Sequence, residues 1–167
     1  MDNSMTNLAS QYKYDEEVTK KSELYKTFLK ARISYSELCK NEGEDSAKAS
    51  NIVVNLDKVA VLQKKNPLPS TMDFLIGINL TGKRSGKYLL GECRFRYKSP
   101  VNIRKSDLKD KIDGSKGLFS EDVSKIHNEY IFLFSKKCIA QARSHLARLQ
   151  PNLTWKALTT EEFESVF

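Results

Sequence analysis

Pro69-Ser70-Thr71-Met72-Asp73-Phe74-Leu75-Ile76-Gly77-Ile78-Asn79-Leu80 and Tyr88-Leu89-Leu90-Gly91-Glu92-Cys93-Arg94 are two neighbouring apolar runs, each carrying a carboxylate near the end away from the turn between them. Residues 72–80 are almost all apolar, and residues 88–98 alternate, so both read as strands. The seven residues between them carry Gly82 and Gly86, as a hairpin turn requires. In the second strand Cys93, Phe95 and Tyr97 point one way, while Glu92, Arg94, Arg96 and Lys98 point the other. Asp73 and Glu92 therefore place carboxylates on apolar strands, where burial is costly unless a cation compensates it.

The turn suggests a register with Leu80 opposite Lys87, which sets Asp73 opposite Arg94 and makes Glu92 its diagonal neighbour on the same face. Two converging carboxylates suit a hard divalent metal, which takes oxygen ligands and binds phosphate oxygens in turn. A second reading of the same register makes Asp73 and Arg94 a cross-strand ion pair with no metal.

Upstream, Asn66-Pro67-Leu68-Pro69 forces an extended turn. Lys58-Val59-Ala60-Val61-Leu62 is short and β-branched, so residues 58–64 are expected to form the first strand, with 46–56 open between helix and strand. The spacing of Leu24, Phe28, Ala31, Tyr35 and Leu38 predicts one long amphipathic helix from Tyr14 to about Asn41, broken by Gly43. Residues 1–13 are polar and aperiodic, a loose N-terminal tail before a single domain over 14–167.

Downstream, Ser106 and Ser120 are expected to cap short helices to Ile112 and Ile126. Tyr130-Ile131-Phe132-Leu133-Phe134 reads as a strand buried on both faces. Ile139, Ala142, Leu146 and Leu149 form a helical stripe ending at Pro151. A short strand over 153–158 and a Thr159–Glu162 capping box complete the order.

A length of 167 residues with 40% hydrophobic and 29% charged content suits one domain with a real core. No run approaches a membrane span, and the first residues lack signal-peptide order, so a soluble cytoplasmic protein without membrane association is expected. Cys39, Cys93 and Cys138 are odd in number and sit in apolar patterns, which reads as three buried small hydrophobes. The net charge of +7 is concentrated between Lys83 and Lys116, where eleven cations face four acids. Such clustering attracts polyanions, so DNA is the expected partner, through Lys83, Arg84, Lys87, Arg96, Arg104 and Lys105; a solvated basic surface is the alternative. Isolated His127 and His145 read as structural, and Gly82–Gly86 lacks the spacing of a phosphate loop. Tyr88, Phe95 and Tyr97 suit base stacking or sheet-core packing.

The order helix, strand, strand with Asp, strand with Glu-x-basic, helix, apolar strand, helix resembles the PD-(D/E)XK, or restriction-endonuclease-like, nuclease superfamily over residues 14–158. Pro69 and Asp73 match its first motif, Glu92-Cys93-Arg94 its second, and residues 130–137 its fourth strand. Residues 130–137, with the later 153–163 ending, are especially similar to nuclease-like domains that accompany some prokaryotic ATPases. The resemblance implies an α/β single domain with a mixed central β-sheet flanked by helices, built on an α-β-β-β-α-β core. It implies Mg²⁺ or Mn²⁺ held by Asp73 and Glu92, with the carbonyl of Cys93 and a first-helix acid, Glu17, as further ligands. Glu17 equally suits a helix N-terminus. Arg94 stands where the family has lysine; it stays protonated and cannot act as a base, though it can clamp a phosphate. Lys98, on the same strand face, is the first candidate for the missing lysine. The resemblance thus implies metal-dependent cleavage of DNA phosphodiesters. The alternative is a weakened nuclease-fold domain that binds DNA or docks onto an ATPase or DNA-processing protein, in an oligomeric state the sequence leaves open.

Overall fold

The computed structural model describes residues 11–83, 85–120, 123–149 and 154–167. In chain order these form β1 (Tyr12–Tyr14), α1 (Glu16–Lys21), α2 (Glu23–Thr27), β2 (Arg32–Ser34), α3 (Tyr35–Asn41), β3 (Ile52–Asn55) and α4 (Leu56–Leu62). They continue through β4 (Phe74–Leu80), β5 (Gly86–Cys93), α5 (Lys105–Lys116), β6 (Ile126–Leu133), α6 (Ile139–Leu149), β7 (Trp155–Leu158) and α7 (Thr160–Glu164).

The strands make one mixed seven-stranded sheet in the order β2-β3-β4-β5-β6-β7, and helices flank it in a single α/β domain. β1 and β3 share one edge of β4, β3 against Phe74 and Leu75 and β1 against Ile78 to Leu80. The pairs from β2 to β5 are antiparallel; β5–β6 and β6–β7 are parallel, each joined by a crossover that contains a helix.

Alternation divides the core between the two faces. Leu75, Leu90, Tyr130 and Phe132 pack with Leu24, Val59, Leu108, Ile112 and Leu146 from the helices of one side. Phe74, Ile76, Leu89 and Ile131 pack on the other side with Tyr35, Leu38 and Phe163. No helix among the described residues is long and apolar enough to cross a membrane.

The expected long helix over 14–41 is replaced by β1, three short helices, a 3₁₀ turn and β2. Its apolar stripe serves two cores: Leu24 and Ala31 face one layer, Tyr35 and Leu38 the other. A straight helix cannot reach both. Ser22 and Ser34 restart the chain by accepting hydrogen bonds from the N–H groups of Leu24 and Glu37. Tyr12 and Lys13, assigned to the tail, belong to the sheet, and Tyr12 is buried; residues 1–10 lie outside the described set.

The strand expected over 58–64 is helix α4. Asn55 Oδ1 accepts from Lys58 N–H at 3.0 Å, and Leu56, Val59 and Ala60 bury one helical face. Cap and spacing outweigh the β-propensity of Val59 and Val61, and the strand falls instead in the ambiguous stretch, as β3. β5 ends at Cys93, because residues 95–96 form a turn. Helix α5 begins at Lys105 without a side-chain cap and runs through Gly114 to Lys116. Around Ser120 the described residues hold only a 3₁₀ turn, Val123–Lys125, before β6. The Thr159–Glu162 capping box is present. Pro151 and Leu153 lie outside the described residues.

Candidate active site

The β4–β5 ladder pairs Phe74 with Gly91 and Ile78 with Lys87, two residues away from the expected register. A shift of two preserves which face each side chain occupies. Continued by one step, this ladder sets Asp73 beside Glu92, and Asp73 N–H donates to Gly91 O at 2.9 Å. The carboxylates therefore meet across the strands at the open end of the hairpin, on the face shared with α5.

Asp73 Oδ2 accepts from the backbone N–H of Cys93 at 2.7 Å. Burial, followed by the charge of Glu92, pushes the Asp73 carboxyl up to about 9; the Cys93 amide opposes the shift, and Asp57 and Glu42 add to it. Glu92 is pushed up to about 7, chiefly by burial and against the pull of Lys111 and Arg94. Each carboxylate is thus held where its charge is poorly solvated.

The lysine of the site comes from α5. Lys111 Nζ lies 3.0 Å from Glu92 Oε1 and donates to Thr71 O at 3.1 Å. Two features dock this helix on the segment that leads through Asp73 into β4. Ser115 Oγ accepts from Met72 N–H at 2.7 Å, and the same hydroxyl donates to Lys111 O. A Cβ at Gly114 would meet Ser70 O at 1.8 Å, so only glycine allows the helix so close. Lys111 was readable in one respect: it shares the helical face of Leu108, Ile112 and Ser115, all buried.

Arg94 pairs with Glu92, not Asp73. Its Nε lies 3.3 Å from Glu92 Oε1, off the line of a hydrogen bond, while Nη1 donates to Tyr97 Oη. The cross-strand Asp73–Arg94 pair is absent because the two-residue shift gives that place to Glu92. Glu92 Oε2 is buried without a hydrogen-bond partner among the described residues.

Two acids join the same cavity, of about 270 Å³: Glu42 at the end of α3 and Asp57 in the first turn of α4. Asp57 Oδ1 accepts from Thr71 Oγ1 at 2.6 Å. The strand reading of 58–64 concealed Asp57, since it hid the helix that places it.

Two expected site residues stand elsewhere. Lys98 lies beyond the end of β5, on a separate cleft, because the strand face meant to carry it stops at Cys93. Glu17 has a side chain 77% exposed near Lys20, on a helix whose Val18 packs over Gly77 and Gly86 toward the far end of the hairpin. Cys93 lends its amide to Asp73, while its thiol turns to the opposite core, where hydrogen bonding to Cys39 and then burial push it up.

Of the expected DNA-binding cations, Arg96 lines the carboxylate cavity. Lys83 follows the far end of β4, and Lys87, roughly 17 Å along β5 from Glu92, donates to Ser124 O. Arg104 and Lys105 open α5, exposed. Arg84 lies outside the described residues.

Among the described residues no three His, Cys, Asp or Glu side chains converge tightly enough to enclose a metal alone. The donor set is a carboxylate pair, which fits Mg²⁺: this ion is commonly held by one or two carboxylates, with water and substrate phosphate completing its shell. The unsatisfied Glu92 Oε2 and the raised Asp73 carboxyl fit that demand. Compared with known proteins, the chain matches no protein-family model, no curated protein and no solved structure.

Proposed function

We propose that this domain hydrolyses phosphodiester bonds in DNA at the Asp73–Glu92 pair, with Mg²⁺ or Mn²⁺. The observation that carries this reading is the convergence of two buried, mutually repelling carboxylates on a lysine, with Lys111 Nζ 3.0 Å from Glu92 Oε1. Asp73 and Glu92 are the residues that would hold the metal. When bound, it polarises the phosphodiester and lowers the pKa of water. Lys111, anchored by Thr71 O, is placed to orient a water and to offset charge developing on the phosphate. Arg94 offers its planar fork to a non-bridging oxygen, and Tyr97 Oη holds that guanidinium in place. The hairpin with carboxylates at its open end, followed by two parallel crossovers, supports the resemblance to restriction-endonuclease-like nucleases.

Calorimetric titration with Mg²⁺ and Mn²⁺, beside cleavage of labelled DNA, tests the proposal. Wild type should bind and cleave, and Asp73→Asn should do neither. A second reading, a binding module that docks onto DNA, an ATPase or a DNA-processing protein, draws on one observation: Glu92 Oε1 is already shared by Lys111 and Arg94. Absence of metal binding and cleavage in wild type would favour it.

A further inference from the structure

A second cleft, about 1030 Å³ in volume, opens beside the carboxylate cavity and shares Phe95, Arg96 and Tyr97 with it. Its walls include the segments that leave the three parallel strands: residues 95–98 after β5, 134–138 after β6 and 159–161 after β7. Ligands of α/β sheets bind in the crevice outside the carboxyl ends of strands. The volume stands at the top of the usual range for ligand pockets, roughly 300–1,000 Å³.

The lining is cationic, with Lys48, Arg96, Lys98, Lys136 and Lys137 against Glu44, Glu161 and Glu164. Glu161 holds Lys136 at 2.8 Å, and Glu164 is engaged by the N–H groups of Lys48 and Ala49. Among the described residues, Arg96, Lys98 and Lys137 have no acidic partner. Their charge is available to a polyanion.

Tyr97 borders both cavities and a third beside α5. It is the one exposed aromatic ring among the described residues, at 36%. Its N–H donates to Arg94 O, its carbonyl accepts from Cys138 Sγ at 3.1 Å, and the Arg94 guanidinium lies 5.0 Å from its ring centroid. The ring is thus held before any ligand arrives.

Cations for phosphates and a fixed aromatic face match a strand whose bases are separate; in a duplex the bases stack on one another and offer no face. We infer that this cleft is the track of an unpaired nucleic-acid strand, with Lys98 and Lys137 on its phosphates and Tyr97 stacked on a base beside the phosphodiester presented to Asp73 and Glu92. The inference rests on the cleavage reading of that pair, which gives the track its destination.

The test uses the full chain without divalent metal and follows fluorescence anisotropy of labelled unpaired DNA, unpaired RNA and duplex DNA of one sequence across a salt series. An unpaired strand should bind more tightly than the duplex, and the DNA and RNA arms identify the sugar. Tyr97→Leu should weaken unpaired binding by roughly 5- to 150-fold. Tyr97→Phe keeps the ring without the Arg94 hydrogen bond and should weaken unpaired binding far less than Tyr97→Leu. Lys98→Gln with Lys137→Gln should lower the log-log salt slope by about 1.4. Equal or tighter duplex binding, or an unchanged affinity in a folded Tyr97→Leu protein, overturns the inference. Adding Mg²⁺ separates the two readings. Unpaired binding without cleavage removes the cleavage reading alone, whereas cleavage of duplex unaffected by Tyr97→Leu removes the cleft alone.

Discussion

Lys111 reaches from α5 to within 3.0 Å of Glu92, a residue 19 positions earlier on β5. That contact turns a pair of buried acids into a site with its own cation. Lys111→Met should leave Glu92 with Arg94 alone and lower stability by about 1–3 kcal/mol, a partial form of stranding a buried charge. Urea denaturation measures that change, and cleavage should fall to background. A variant with full stability and full cleavage would detach Lys111 from the site.

Asp73 contributes a pH dependence to stability. Its folded pKa, about 9, lies above the ordinary value of 3.8, so between those values the folded state holds more protons than the unfolded state. The favourable contribution is complete below about pH 4 and is lost as pH rises toward 9; Glu92, raised to about 7, acts in the same direction. Without metal, melting temperature should fall across this window, because the unfolded chain's carboxyls ionise while the folded ones hold their protons. Asp73→Asn should flatten the fall and gain several degrees at pH 8, on the order of 2 kcal/mol. Thermal melts from pH 4 to 9 check this, and a wild type whose melting temperature rises through the window would contradict it.

Gly114 controls the reach of Lys111. Gly114→Val drives a side chain against the Ser70 carbonyl and must move α5 away from the Asp73 strand. Cleavage should be lost with a stability cost of about 1–3 kcal/mol, the usual range for overpacking. Ser115→Ala, which removes the hydrogen bond to Met72 N–H, should cost about 1 kcal/mol and spare part of the activity. Paired denaturation and cleavage measurements rank the two.

Arg94→Lys discriminates between two roles for that position. With Lys111 already in place, a second amine adds nothing, and the substitution gives up the fork and the Tyr97 contact. Cleavage should fall several-fold. A rise above wild type would mean that the position itself lacks a lysine and that Lys111 does not replace it.

Local pattern was enough for the hairpin, the parity of its faces and the convergence of Asp73 with Glu92, because strand side chains alternate with a fixed period of two. A register error of two residues left that convergence intact. The strands over 74–80 and 130–133, helix α6 and the Thr159 capping box were likewise legible, being local patterns. Packing between distant segments accounts for what local pattern missed. The stripe from Leu24 to Leu38 looked like one helix because spacing cannot say that two cores, on opposite faces of a sheet, will divide it. Residues 58–62 looked like a strand until the Asn55 cap and burial on one helical face outweighed β-propensity. That Lys111, and not Lys98, stands beside Glu92 depended on where β5 stops and on how closely Gly114 lets a helix approach Ser70. Those are distances between segments far apart in the chain, set by packing, and no local spacing encodes them.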